Sequence, residues 1–183
     1  YRQQNKRSFF ISDFNIIDGY KSKKENEKKT LTHLFSKFES DLDFENFIES
    51  SLNISVQKVN NDTYLKIFDQ NATNEKIKPT SNDLLTSNVK FNLQNDRFNL
   101  ETGMTSYEDL QKSNSDRYEF ILPYYNLSAE LNEGKEYGYL NFSSVGSNIL
   151  KNTNNLRSRI INDFDFKGFD LISKSGVQNN INI

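Results

Sequence analysis

Leu85-Thr86-Ser87-Asn88-Val89-Lys90-Phe91-Asn92-Leu93-Gln94-Asn95-Asp96-Arg97-Phe98-Asn99-Leu100-Glu101-Thr102-Gly103-Met104-Thr105 decides the fold class. Leu85, Ser87, Val89, Phe91 and Leu93 share one parity, and Thr86, Asn88, Lys90, Asn92 and Gln94 share the other. A period of two is that of an extended strand with one dry and one wet face. Asn95-Asp96 reads as a tight turn, because short polar side chains bond their own backbone and tolerate unusual dihedrals. Phe98, Leu100, Thr102 and Met104 then alternate with Asn99, Glu101, Gly103 and Thr105, which completes an antiparallel hairpin.

The same pattern extends outward in both directions. Between Phe47 and Val59, Ile48, Leu52, Ile54 and Val56 fall on even positions with Ser50 among them, and polar residues fall between. Leu156, Ser158, Ile160, Asn162, Phe164 and Phe166 interleave with Arg157, Arg159, Ile161, Asp163, Asp165 and Lys167. After Gly168, which suits a turn, alternation continues from Phe169 to Ile183, so a second hairpin is expected there. Ser8–Ile17 and Leu31–Leu42 read as strands although their apolar residues fall on both parities. Lys21–Lys29, Asn71–Asn82 with Pro79, and Gln111–Ser115 read as connections.

Composition narrows the class. The chain has 183 residues, 34% of them hydrophobic, and a mean hydropathy of -0.78, so a thick two-sided core is not expected. Aromatics at 13%, with 15 Phe and 9 Tyr, argue against disorder. The 23 basic and 25 acidic side chains nearly cancel, which leaves no basic footprint for nucleic acid. No cysteine is present, so disulfides, thiolate metal sites and Cys nucleophiles drop out. No run approaches the roughly 20 apolar residues of a membrane-spanning helix. Barrel strands alternate and so have low average hydropathy. The ends, Tyr1 and the still alternating Asn180-Ile181-Asn182-Ile183, read as those of an internal fragment.

Residues able to do bond chemistry are sparse. His33 stands without ligands at metal spacing and reads as a packed histidine. Glu39, Asp41, Asp43 and Glu45 lack the glycine and ligand order of a calcium loop and read as a wet strand end. No phosphate-binding glycine loop, zinc-protease helix or nucleophile elbow occurs, so neither an enzyme nor a cofactor is expected. Arg157, Arg159, Asp163 and Asp165 share a strand face, as a lumenal charge ladder would.

Three stretches in order carry a family resemblance. They are Val59-Asn60-Asn61-Asp62-Thr63-Tyr64-Leu65 followed by Asp83-Leu84-Leu85-Thr86-Ser87; Phe98 through Tyr107-Glu108-Asp109-Leu110 to Asp116-Arg117-Tyr118-Glu119-Phe120-Ile121-Leu122-Pro123; and Gly138-Tyr139-Leu140-Asn141-Phe142-Ser143-Ser144 with Leu156-Arg157-Ser158-Arg159. Together they resemble the barrel region of the lipopolysaccharide-assembly protein family LptD, from about Leu31 onward. The resemblance implies an outer-membrane barrel of about two dozen strands in a Gram-negative bacterium, preceded by a periplasmic jelly roll. It also implies a plug lipoprotein, LptE, a periplasmic bridge protein, LptA, and insertion of lipopolysaccharide into the outer leaflet.

The expected fold is therefore all-β, an antiparallel meander of about 8–10 strands, with residues 1–183 forming part of a large transmembrane β-barrel. Tyr118, Phe120, Tyr124, Tyr125, Tyr137 and Tyr139 are the expected interfacial aromatic girdle. Arg157, Arg159 and Lys167 are the expected lumen-facing cations, for lipid phosphate, a plug or intra-barrel ion pairs. Two other classes fit the alternation: another outer-membrane barrel, such as a porin or receptor, and a soluble all-β binding module of a secreted protein.

Overall fold

The computed structural model of the protein describes residues 1–21, 28–68, 76–132, 138–151, 155–169 and 171–179. Nine strands pair in chain order in one open antiparallel sheet: β1 Arg2–Gln4, β2 Ser8–Lys21, β3 Lys28–Asp41, β4 Glu49–Val59, β5 Leu84–Gln94, β6 Phe98–Asp109, β7 Tyr118–Glu130, β8 Gly138–Lys151 and β9 Asn155–Gly168. The meander expected from alternation is there. The sheet is not closed, and β1 and β9 are its edges.

The hairpin read first forms in the expected register, with Leu93 opposite Leu100 and Val89 opposite Met104. Asn95 makes the turn: its side-chain oxygen accepts the N–H groups of Arg97 at 3.0 Å and Phe98 at 2.8 Å. The second expected hairpin is different. β9 pairs with β8, while β10 (Leu171–Ile172) and β11 (Gln178–Asn179) pair only with each other. Gly176, at φ +82°, closes that local turn, and the Val177 amide donates to Ser173 Oγ at 3.0 Å. Gly168, read as a turn residue, stays in β9 opposite Gly138. Residues 180–183 lie outside the described residues.

Following the register from strand to strand sorts the side chains onto two faces. One carries Phe10 and Phe14 of β2, Leu52 and Ile54 of β4, Val89 and Phe91 of β5, Leu100 and Met104 of β6, and Ile160 and Phe164 of β9. This apolar face is bare over much of its width: Val89 is 41% exposed, Met104 50%, Phe164 64% and Ile160 66%. The opposite face of β5–β9 is rich in Asn, Ser, Thr and charged residues, interrupted by Val145 paired with Ile161 and by Ile121 paired with Ile149.

Two bulges adjust this pattern. In β2 the register shifts between Ile17 and Tyr20, where Gly19 takes φ +76°. In β7 the three-residue step from Ile121 to Tyr124 faces a two-residue step on both neighbours. Pro123 lies there, and a residue without an N–H is tolerated inside a sheet only at such a break. The extra residue reverses parity. Tyr118 and Phe120 lie on the apolar face before it, and Tyr125 and Leu127 after it, while Tyr124 turns to the polar face. Tyr124 packs over Gly103 of β6, and Tyr125 over Gly146 of β8.

The girdle expectation needs a corresponding correction. Tyr118, Phe120 and Tyr125 share the apolar face, but Tyr124 and Tyr139 face the polar side, and Tyr137 lies outside the described residues. The aromatics of the apolar face occupy both ends of the sheet: Tyr118 and Phe120 stack at the end where β6 leaves it, and others gather where β5 turns into β6. Phe44 and Phe47, from the β3–β4 connection, approach Phe91 at 6.5 Å and Phe98 at 6.4 Å.

Candidate functional site

The polar face is two unlike surfaces. Over β5–β9 it is open; over β2–β4 it is covered by the β4–β5 connection, described over residues 60–68 and 76–83, which carries the short helix α1 (Tyr64–Phe68). The insert departs through Asn60, whose side-chain oxygen accepts the Thr32 amide at 2.8 Å and whose side-chain amide donates to the Thr30 carbonyl at 2.9 Å. Asn61 then starts α1, accepting the Thr63 amide at 2.9 Å and hydroxyl at 2.7 Å. Tyr64, Leu65 and Ile77 bury themselves in one core with Ile11, Leu31, Phe35 and Val59, joined at its edge by Leu85 of β5 and Leu110 after β6 and flanked by Phe9, Ile17, Tyr20 and Phe68.

This core explains the mixed parity of β2 and β3. Ile11, Ile17, Leu31 and Phe35 face the insert, while Phe10, Phe14 and Leu34 face the bare apolar side. His33 lies within the core, stacked on Phe35 at 4.5 Å, and its Nδ1 shares a 2.6 Å hydrogen bond with the Tyr64 hydroxyl. Its Nε2 stands 3.5 Å from Asp13 Oδ1. Burial pushes the Tyr64 hydroxyl up from its ordinary pKa, so it stays neutral. His33 is thus a packed residue that ties the insert to the sheet. Lys66 Nζ, 2.7 Å from Asp83 Oδ1, joins the two limbs of the insert. Hydrogen bonding by Lys66 holds the Asp83 carboxyl below its ordinary pKa.

Where the insert leaves and returns, β4 and β5 part. Their ladder stops at Ser55 opposite Asn88. Beyond it side chains bridge the gap: Ser87 Oγ accepts the Gln57 amide at 3.0 Å, and Gln57 Oε1 accepts the Thr86 amide at 2.9 Å. Beside this opening Glu108, 7% exposed, is held by Lys58 Nζ at 2.7 Å, Arg117 Nε at 2.8 Å and the Tyr118 hydroxyl at 3.2 Å. Arg117 also reaches Asp62 at 2.8 Å, so one buried carboxylate connects β4, the insert, β6 and the β6–β7 connection. Sequence reading missed this cluster. The signal was available: Lys58 and Glu108 continue the apolar parities of their strands, and a charge on a dry face needs a partner.

The three expected cations all lie on the polar face of β9, opposite Ile149 (Arg157), Ser147 (Arg159) and Tyr139 (Lys167). They do not form one group. Arg157 and Arg159 are next neighbours on that face, but Lys167 lies eight residues away, roughly 26 Å along the strand. Asp163 and Asp165 stand between them. Elsewhere on this face Lys90 pairs with Glu101 at 2.6 Å and Lys151 with Glu119 at 2.7 Å. At the far end of the sheet Asp43 pairs with Arg7, Glu39 with Lys37, and Asp41 accepts the Asp43 amide, as a solvated strand end does.

Compared with known protein families, curated proteins and solved structures, the chain matches none of them. The chemical content of the face is therefore read from its residues. Hydroxyl, amide and paired charged groups bind by hydrogen bonding and shape, and Arg157 and Arg159 add a local positive field.

Proposed function

We propose that the chain is a section of the wall of an outer-membrane β-barrel, with its apolar face toward lipid and its polar face toward an aqueous lumen. The observation that carries the proposal is the bare apolar face, which runs across successive strands instead of closing over a core. Large exposed apolar patches on a sheet call for a partner surface, and lipid is one that needs no shape complementarity. β2–β9 are 11 to 14 residues long, and about 9–11 suffice for a tilted strand to cross the hydrocarbon layer.

The cargo reading comes from the ordered resemblance to the LptD family. On it, the wall belongs to a translocon that inserts lipopolysaccharide into the outer leaflet of a Gram-negative outer membrane, with LptE and LptA as partners. Transport of this kind is steric and electrostatic and makes or breaks no covalent bond. Arg157 and Arg159 are the residues of this face suited to an anionic lipid headgroup, because guanidinium forks match phosphate.

The test uses the complete reading frame expressed in a Gram-negative host. The expected result is an outer-membrane protein whose depletion reduces surface lipopolysaccharide. Phe91→Arg should cost about 2–4 kcal/mol of barrel stability and Asn92→Arg little, because only the first places a charge in lipid. Equal costs on the two faces, or a protein that stays monomeric in buffer without detergent, would overturn the barrel reading. An outer-membrane protein whose depletion leaves surface lipopolysaccharide unchanged would overturn the cargo alone.

A further inference from the structure

We infer that the β4–β5 insert is a resident obstruction of the lumen, so that the open route runs only along β5–β9. The inference rests on the barrel reading above and adds what the second face does. Three observations carry it. The insert lies on the polar face, since Tyr64 meets His33 and Lys76 Nζ stands 5.4 Å from the Phe9 ring centre, and both His33 and Phe9 have that parity. It also runs along the wall rather than over its rim. Phe9 pairs with Glu39, six residues along β3 from His33, so these two anchors are roughly 20 Å apart, a large part of a hydrocarbon layer of about 30 Å.

The third observation is that the insert is held by a core. Leu65 and Ile77, one from each limb, are buried with Leu31 and Phe35, and the Lys66–Asp83 pair joins the limbs. Lifting it away would expose Leu31, Phe35 and Ile11 to the lumen, so it stays in place when the passage is open. A packed layer of side chains on a sheet face is about 10 Å thick, which narrows the passage mainly on the β2–β4 side. The consequence is selection by size along a lopsided channel, with a fixed wall on one side and a hydrogen-bonding surface on the other.

Single-channel recording in planar bilayers in potassium chloride, on the protein in its complete reading frame, tests this. Replacing residues 62–82 by a short Gly-Ser linker should raise conductance by about 1.5-fold or more. A second variant covers the case in which that replacement fails to fold. The 183 residues contain no cysteine, so Lys76→Cys, in a background free of other cysteines, can be modified by a bulky hydrophilic thiol reagent. Modification should lower the conductance of every channel, and the same treatment of Ile160→Cys on the apolar face should not. Unchanged conductance after Lys76→Cys modification would overturn the obstruction while leaving the barrel standing. A wild-type protein that forms no membrane-inserted species would overturn both.

Discussion

Strands β2 and β3 carry apolar side chains on both faces, whereas β5 and β6 carry them on one. The first pair is a small globular core: Leu31 and Phe35 are each 1% exposed beneath the insert. The second pair reaches that core only through Leu85 at one end, and over most of its length its cohesion comes from ladder hydrogen bonds and cross-strand neighbours such as Val89 and Met104. One sheet thus uses two ways of staying folded. The first is closed by its own insert; the second leaves a wide apolar surface uncovered.

Substitution at equivalent places should separate the two regimes. The largest effect is expected for Phe35→Ala, about 3–5 kcal/mol by denaturant titration in detergent, since it opens a cavity in a closed core. Thr105→Ala, on the uncovered polar face of β6, should stay within about 0.5 kcal/mol. Similar values for both would mean that the insert does not form a core.

Glu108→Gln comes next, at about 1–3 kcal/mol, because Lys58 and Arg117 lose the buried carboxylate they share, Arg117 keeping only Asp62. The figure is held below that of a fully buried pair because Lys58 is half exposed. Lys58→Met in the Glu108→Gln background should then cost less than it does in the native protein, a coupling that a double-mutant cycle reads directly. Gly103→Ala should cost about 1–3 kcal/mol, since a Cβ there would run into the Val89 carbonyl oxygen and the Tyr124 ring.

The smallest effect is electrostatic. The Asp83 carboxyl is depressed by Lys66, so its contribution is present above the unfolded-state value of 3.8 and is lost as pH falls through the lower folded value. Limited proteolysis should therefore cut the insert faster below about pH 4. Asp83→Asn should abolish that acceleration, and a pH response surviving the substitution would assign it elsewhere.

The one-sided strands were legible because burial on a single face writes a period of two into the chain, and Asn95 marks its own turn. The insert was less so. A five-residue helix is too short to show a 3.6-residue period, and its anchors, Tyr64, Leu65 and Ile77, are scattered through a stretch whose polar residues dominate. The mixed parity of Ser8–Ile17 and Leu31–Leu42 looked like weak strand signal, but it records burial under the insert on one side and the bare apolar face on the other. Alternation also fixes which way side chains point without fixing which strand is the neighbour. That is why the pattern after Gly168 suggested a partner for β9, whereas Ser173 and Gly176 fold the segment back on itself. The position of Pro123 inside an aromatic strand carried a parity change that a count of every second residue passes over.

The insert also bears on the order in which the chain acquires its structure. Most of its core contacts link Ile11, Leu31, Phe35 and Leu85 with Tyr64 and Ile77 in the first half of the sequence, Leu110 joining from the end of β6, and none requires lipid. The hairpins β2–β3 and β3–β4 with their insert can therefore condense first, by ordinary burial in water, as a nucleus that carries the register of the strands still to come. Pulse-labelled hydrogen exchange should then protect the Leu31 and Phe35 amides before those of Ile160 and Phe164. Simultaneous protection would make the sheet a single cooperative event. A sheet built outward from such a seed already carries the cover of one part of its polar face before the later strands join.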